Sequence, residues 1–328
     1  MSHPFAFHAG EILSSRQVIK IKLEDPMKKS LLTIAASLTL ASISTRADLT
    51  SYQTAVSSQN PAFYFHFDNS LVDSVGGTAA FTANGGATFS NDFFGNANDA
   101  ALFPATTDYL SLANPPAVIG GEGTSNAVGS LSLLFYVPAT IPGTGYYFSD
   151  GETTGGAANG QPANSAFSFQ IASTAGAVTL KVGSKSITSL PAVTSNTWYY
   201  LGVTYNLNGT SVGVNGVNAY IGPVGGSLSS VFTQKGGSGN IGSTSTLGDS
   251  LTFVVGNKQA AVTAASTAGV AGGEVDELAT WSTQLSTTQI QNQFNSIVVP
   301  EPSTCAMVGI GILTLFCSRR RIHVHLRG

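Results

Sequence analysis

Short runs in which apolar and polar residues alternate with period two, separated by stretches rich in glycine, constrain this chain more than any other feature. In "AFYFHFD", Phe63, Phe65 and Phe67 fall on one face and Tyr64, His66 and Asp68 on the other. "LSLLFYV", "AFSFQIA", "AVTLKVG", "WYYLGVTY", "SVGVNGV" and "LTFVVGN" follow the same rule. Successive side chains on a strand point to opposite faces of the sheet, so each run is a strand with one buried face. The intervening "NGG", "GGEGTSN", "DGETTGGAANG" and "KGGSGN" have the composition of loops. Strands punctuated by turn signals about every ten residues predict an all-β fold, two antiparallel sheets packed as a sandwich or jelly roll.

One short helix is expected near the end of this region. Ser286 is a good N-cap and Gln289 stands three residues on, the spacing of a capping box. Leu285 and Ile290 are placed for a hydrophobic staple, and Phe294 follows Ile290 by four residues on the same helix face. The helix is expected to pack at the edge of the sandwich.

Residues 48–299 hold four lysines (Lys181, Lys185, Lys235 and Lys258), no arginine and thirteen acids, which leaves this span at −9. A domain so acidic repels phosphate backbones, and nucleic acid is not an expected partner. Both cysteines, Cys305 and Cys317, lie beyond it, so its stability rests on core burial without a disulfide. A hydrophobic content of 42% over the whole chain argues against disorder.

The two ends have a different chemistry. From Met27, "MKKSLLTIAASLTLASISTRA" carries a basic start, an apolar stretch and small residues around Ala47. This predicts a signal peptide over 27–47, with residues 1–26 an extension upstream of the natural start. At the other end, a helix from Cys305 to Cys317 would rise roughly 20 Å, short of the roughly 30 Å hydrocarbon core. Arg319, Arg320 and Arg321 would stay on the cytoplasmic side. Pro300 and Pro302 hold Glu301 on an extended stretch. A short, transient inner-membrane anchor behind an exposed turn suits a segment meant to be removed.

The order Val299-Pro300-Glu301-Pro302, apolar helix, Arg319 to Arg321 resembles the PEP-CTERM sorting signal, over residues 299–321, with 322–328 a tail beyond it. The resemblance implies processing by an exosortase, a membrane transpeptidase-like enzyme, in Gram-negative-type bacteria that make exopolysaccharide. Residues 48–298 then form the exported domain. Within it, "ALFPATTDYLSL", "SLSLLFYVPA", "NTWYYLGVTYN", "LTFVVGN" and "GGEVDELATWSTQLSTTQI" resemble, in order, segments of laminin-G-like, concanavalin A-like lectin/glucanase jelly rolls. That resemblance implies two antiparallel sheets, one of them concave, on a scaffold used for carbohydrate or protein binding and in some members for catalysis.

Few residues carry visible chemistry. In "GEVDEL", Glu274 and Asp276 share a strand face, but the next position on it is Leu278 and Glu277 points the other way in a regular strand. The carboxylate pattern of glucanases on this scaffold, which the resemblance brings to mind, is therefore incomplete. Val275 and Leu278 are three apart, so both reach the core only through a β-bulge. The family resemblance implies one structural Ca²⁺, with Asp68 and Asp276 as its candidate ligands. The alternative is that Asp276 braces loop N–H groups and Asp68 is solvated. His66 is the one histidine of residues 48–299, too few for a zinc site or for a nucleophile–histidine pair. Trp198, Tyr199, Tyr200 and Tyr205 form either a sugar-stacking platform or core.

These readings converge on an exported cell-surface or extracellular-matrix protein, not an enzyme, with polysaccharide as the expected partner. A glycoside hydrolase-like enzyme and a purely structural surface protein are the alternatives. What lines the concave sheet separates the three.

Overall fold

Alternation becomes two facing sheets because each strand has one apolar face to bury. The computed structural model describes residues 49–77, 79–113, 127–140, 143–150, 167–172, 176–183, 185–208, 215–234, 252–258 and 268–297. The chain divides into two units, 45–301 and the ends 1–44 with 302–328; all described residues belong to the first. The expected signal segment and sorting helix lie outside them.

The strands run in chain order as β1 (Phe63–Phe65), β2 (Thr82–Asn84), β3 (Thr88–Ser90), β4 (Ala100–Phe103), β5 (Tyr109–Ala113), β6 (Val128–Val137), β7 (Thr144–Asp150) and β8 (Phe167–Ala172). They continue as β9 (Val178–Val182), β10 (Lys185–Ile187), β11 (Thr197–Asn206), β12 (Gly216–Pro223), β13 (Ser229–Gln234), β14 (Thr252–Val255) and β15 (Gly273–Trp281). An eight-stranded sheet has the order β13-β12-β11-β6-β15-β4-β3, with β1 also on β15; a seven-stranded sheet has the order β10-β9-β8-β7-β14-β5-β2. All these strand pairings are antiparallel. From β4 to β7 the chain hops between sheets at every step. The last two strands then return to the middle, β14 between β5 and β7, and β15 between β4 and β6. This wrapping is that of a two-sheet antiparallel jelly roll.

The inner faces meet in an aromatic core. Phe135 of one sheet lies 4.7 Å from Tyr147 and 5.2 Å from Phe169 of the other, ring centre to ring centre. The Tyr147 hydroxyl donates to the Tyr136 carbonyl at 2.6 Å, so the buried phenol is satisfied. Several expected strands are found, as β1, β6, β8, β9, β11 and β14. "SVGVNGV" falls largely outside the described residues, and strand β12 begins only at Gly216. Strand β7 escaped the alternation rule because Gly145 and the register shift at Tyr146 to Phe148 break its period.

Two helices are described where one was expected. Helix α1 (Leu49–Ser57) precedes β1, and helix α2 (Thr287–Ile297) follows β15. The capping box forms: the Ser286 N–H donates to Gln289 Oε1 at 2.9 Å and the Gln289 N–H to Ser286 Oγ at 3.3 Å. The edge placement expected for α2 is corrected. Both helices lie on the outer face of the eight-stranded sheet, where Tyr52, Val56, Ile290, Phe294 and Ile297 pack on Tyr64, Leu134, Tyr200, Tyr220 and Trp281. The outer face takes them because Tyr200, Leu134 and Trp281 make it apolar.

Glycine makes the close approach of α2 possible. A Cβ on Gly222 would stand 3.0 Å from the Phe294 ring and 2.7 Å from the Ser227 carbonyl oxygen. Gly222→Ala is therefore expected to destabilise by about 1–3 kcal/mol, the usual cost of overpacking. Urea unfolding measures it, and an unchanged midpoint would contradict the helix placement.

Candidate functional site around the last strand

The bulge expected from the Val275/Leu278 spacing is present. Pairing of β15 with β6 shifts register between Asp276 and Ala279, and Val275 and Leu278 are both fully buried in the inter-sheet core. The extra residue is Glu277, with φ +54°, a left-handed conformation that side chains other than glycine and asparagine rarely adopt. The bulge corrects the expectation that Glu277 points away from Asp276. Its carboxylate meets groups from α1 and β1 on the outer side of the eight-stranded sheet.

Glu277 is completely buried, and its two oxygens are held from two sides. The Tyr64 hydroxyl donates to Oε2, and Gln53 Nε2 of α1 donates to Oε1 at 2.8 Å. Gln53 Nε2 also lies 2.9 Å from His66 Nδ1, which is itself 3.3 Å from Glu277 Oε1. Burial and the neighbouring carboxylate push the Tyr64 phenol far up, so it remains a donor. Burial by itself lowers His66, but the hydrogen bond and charge of Glu277, with Asp68 and Asp73, outweigh it and raise the ring. The neutral ring accepts from Gln53, and the protonated ring donates to Glu277. One edge of His66 opens on a shallow cleft lined by Thr50, Gln53, Thr54, Ser57 and Ser58. The strand-face histidine thus belongs to a buried polar network that sequence reasoning missed, because its partners are 13 and 211 residues away.

Asp276 is also fully buried. Its Oδ1 accepts the Glu277 N–H at 2.8 Å, while Oδ2 has no hydrogen-bond partner. Burial first, then the charges of Glu277, Asp92 and Asp68, raise its carboxyl well above the usual range. Asp68 is exposed, and burial of its carboxyl together with Glu277 pushes it up to about 6. The structure thus brings the two candidate calcium ligands within electrostatic reach of one another. Among the described residues no group of three or more histidine, cysteine, aspartate or glutamate side chains converges as a metal cluster.

Two further buried carboxylates do structural work. Asp73 accepts from the N–H groups of Tyr64, Val75 and Gly76 at 2.7–3.1 Å. Asp108 accepts from Gly86 and Ala105 at 2.7 Å each. Their signal in the sequence was an Asp ahead of glycine or inside a polar turn, which marks a loop but not its partner.

The aromatic platform resolves as core. Tyr199 and Tyr205 lie between the sheets, and Tyr200 lies under α2, its hydroxyl donating to Gln293 Oε1 at 2.7 Å. Trp198 is half-buried beside Tyr136, 5.7 Å between ring centres.

The outer face of the seven-stranded sheet is different in kind. Inward positions such as Leu110, Phe148, Phe167, Phe169, Leu180 and Val182 belong to the core. Between them, cross-strand register sets Ser186, Lys181, Ser168, Ser149, Val254, Ser111 and Thr82 in one row across all seven strands. None of these outward positions is a carboxylate.

Asp68 and His66 both bind a proton more tightly folded than unfolded. The stabilisation from such a group is complete at low pH and is lost as pH rises through its folded value. With a chelator present, the melting temperature is expected to fall between about pH 4, where unfolded Asp68 loses its proton, and about pH 6, where the folded group does, and to fall further above about pH 6.5 as His66 follows. Glu277→Gln should flatten the profile by removing the charge common to both groups. A melting temperature that rises across this window would contradict the electrostatic reading.

Known proteins resemble the domain in fold. Domain 4 of AbnA, a GH43 extracellular arabinanase from Geobacillus stearothermophilus, solved with arabinotriose, is 16% identical with a TM-score of 0.45, over 71% of this chain and 98% of that one. The binding domain of botulinum neurotoxin serotype D is 13% identical with a TM-score of 0.47, over 74% of this chain. That of serotype C1 is 15% identical with a TM-score of 0.47, over 73% of this chain. The chain spans about half the length of these two neurotoxin domains, 52% in each case. No curated protein matches the chain. Residues 298–321 match the PEP-CTERM protein-sorting motif, beginning one residue before the expected 299. Val299, Pro300, Glu301, Pro302, Arg319, Arg320 and Arg321 all fall within the match but outside the described residues. The chain carries a PEP-CTERM protein-sorting motif behind a two-sheet antiparallel jelly-roll domain.

Proposed function

We propose that the chain is an exported, non-catalytic surface protein that binds polysaccharide through the outer face of its seven-stranded sheet and is released from the membrane by an exosortase. The sorting motif supports export and surface delivery. The observation that carries the binding step is the contrast between the sheets. The outer face of one is closed by two packed helices. The other has an outward row rich in hydroxyl groups, in which Ser186 and Thr82 are exposed and Lys181 and Ser111 half-buried. Sugars present dense hydroxyl groups that such side chains can meet. Tyr109 and Tyr146 stand on the same face, where aromatic rings pack against sugar C–H groups.

Two measurements test this. A glycan array probed with the exported protein should show retention of polysaccharide; no retention on any glycan would leave the structural-protein alternative. Cells producing the protein with Glu301→Ala and Arg319 to Arg321 deleted should keep it unprocessed in the inner membrane. Unchanged release of that variant would end the sorting reading.

A structural Ca²⁺ near Asp276 is part of the same reading. The unpartnered Asp276 Oδ2, on a carboxyl that feels the charges of Glu277, Asp92 and Asp68, suits a cation, since hard oxygen ligands are those calcium takes. Asp276 and Asp68 would supply the side-chain oxygens. Main-chain carbonyls and water would complete the ligand set. At a hundred times its dissociation constant such an ion stabilises by about 2.7 kcal/mol, several degrees of melting temperature at roughly 2–4 °C per kcal/mol. A chelator should lower the melting temperature, and Asp276→Asn should abolish that sensitivity. Indifference to the chelator would leave Asp276 as a brace for the bulge.

A further inference from the structure

The cover that the two helices give the eight-stranded sheet thins at one end of its outer face. Cross-strand register lays that face out in rows. Tyr200 of β11, Leu134 of β6 and Asp276 of β15 make one row, and all three are fully buried. The next row along the same strands is Trp198, Tyr136 and Glu274, continued by Leu102 of β4, and all four are half-buried. Tyr199, Tyr200 and Tyr205 are buried, so Trp198 is the member of its aromatic run that a ligand can reach. The row is also held in place. Trp198 rests against the apolar cluster beneath the helices, and its ring centre lies 5.7 Å from that of Tyr136, with the planes at 47°. The Val224 N–H donates to the Trp198 carbonyl at 2.9 Å. The Tyr136 hydroxyl donates to Oδ1 of the exposed Asn196 at 3.2 Å, which leaves Asn196 Nδ2 without a partner among the described residues. Asn196, at φ +55°, is tied by its own N–H to the Val137 carbonyl at 2.7 Å. An aromatic pair thus has an amide donor on one flank and a carboxylate acceptor on the other.

We propose that this row is a second polysaccharide site, one that takes a glycan free of negative charge. Trp198 and Tyr136 receive the C–H face of a sugar ring, Glu274 accepts from its hydroxyls and the Asn196 amide donates to them. The inference rests on the polysaccharide-binding reading above and adds a second contact surface and the charge class of the ligand. A sugar ring is amphipathic, with an apolar C–H face and a rim of hydroxyl groups. The matching surface is an aromatic body with a few convergent polar groups, which is what this row supplies. Hydrogen bonds to an ionised acceptor are about twice as strong as those between neutral groups, so Glu274 gives the polar part its largest contribution. The same carboxylate sets the charge class. It is the one charged group in the row, and residues 48–299 carry −9. An acidic glycan would meet repulsion both at the site and at long range.

The test combines affinity electrophoresis with tryptophan quenching, both on the purified full-length chain. The chain has two tryptophans, and Trp281 is only 1% exposed, so quenching by acrylamide reports on Trp198. The probes are dextran, a mixed-linkage β-glucan and a galactomannan as uncharged glycans, and polygalacturonate as an acidic one. At least one uncharged glycan should retard the chain, and that glycan should also shield Trp198 from acrylamide. Polygalacturonate should do neither. Trp198→Ala should weaken the retardation about tenfold, the upper end of what one aromatic contact contributes. Glu274→Gln keeps the shape and removes the charge, and should weaken it several-fold. Melting curves show whether each variant is folded, and the quenching measurement on the unaltered chain needs no variant. Retardation with Trp198 still open to acrylamide, unaffected by either substitution, would overturn this inference and leave the reading through the seven-stranded sheet standing. No retardation by any glycan would overturn both. Stronger retardation by polygalacturonate than by the uncharged glycans would overturn the charge class and with it the inference.

Discussion

The whole domain depends on one carboxylate that has no business in a strand interior. Glu277 occupies a left-handed position in the middle of the last strand, fully buried, and binds Tyr64 of the first strand and Gln53 of the first helix. A buried charge without partners costs several kcal/mol, so the bulge is tolerable only when α1 and β1 are docked. Chain closure and charge burial are thus a single event. The helix that begins at Leu49 and the strand that ends at Trp281 stabilise each other through that carboxylate.

The bulge has a second effect. It turns Asp276 and Glu277 to the same side, so two neighbouring carboxylates share one low-dielectric environment with Asp68 and Asp92 nearby. Burial first, and then repulsion among them, raises Asp276 and Asp68, so that a proton or a cation is favoured there. Meanwhile the opposite sheet keeps its outer face free of acids in the row from Thr82 to Ser186, with Lys181 within it. Alternation makes the two outer faces of a sandwich chemically independent of the common core.

Much of this was legible in the sequence. Period-two alternation located most of the long strands, and the interval between Val275 and Leu278 was enough to predict the bulge, because two core residues three apart admit no regular strand. The capping box at Ser286 and Gln289 was read correctly, since both partners lie within one helical turn. What failed was long-range. Nothing in "LTSYQTAVS" says that Gln53 reaches Glu277, 224 residues on. Helix α2 was placed at the edge of the sandwich instead of on the outer face of the eight-stranded sheet. Its apolar residues Tyr200, Leu134 and Trp281 are spaced as outward positions of separate strands, and only the pairing order shows that they adjoin.

That return also fixes where the chain leaves the domain. Helix α1 at one end of the described chain and helix α2 at the other both pack on the eight-stranded sheet, and they touch each other. Ile297, the last residue of α2, is buried on that side, and the sorting motif begins at the next residue. The segment on which the sorting enzyme acts therefore starts from the helix-covered side of the sandwich. The seven-stranded sheet turns its outward row to the opposite side. The two helices thus do more than complete the fold. They bury the apolar outer face that the eight-stranded sheet would otherwise expose.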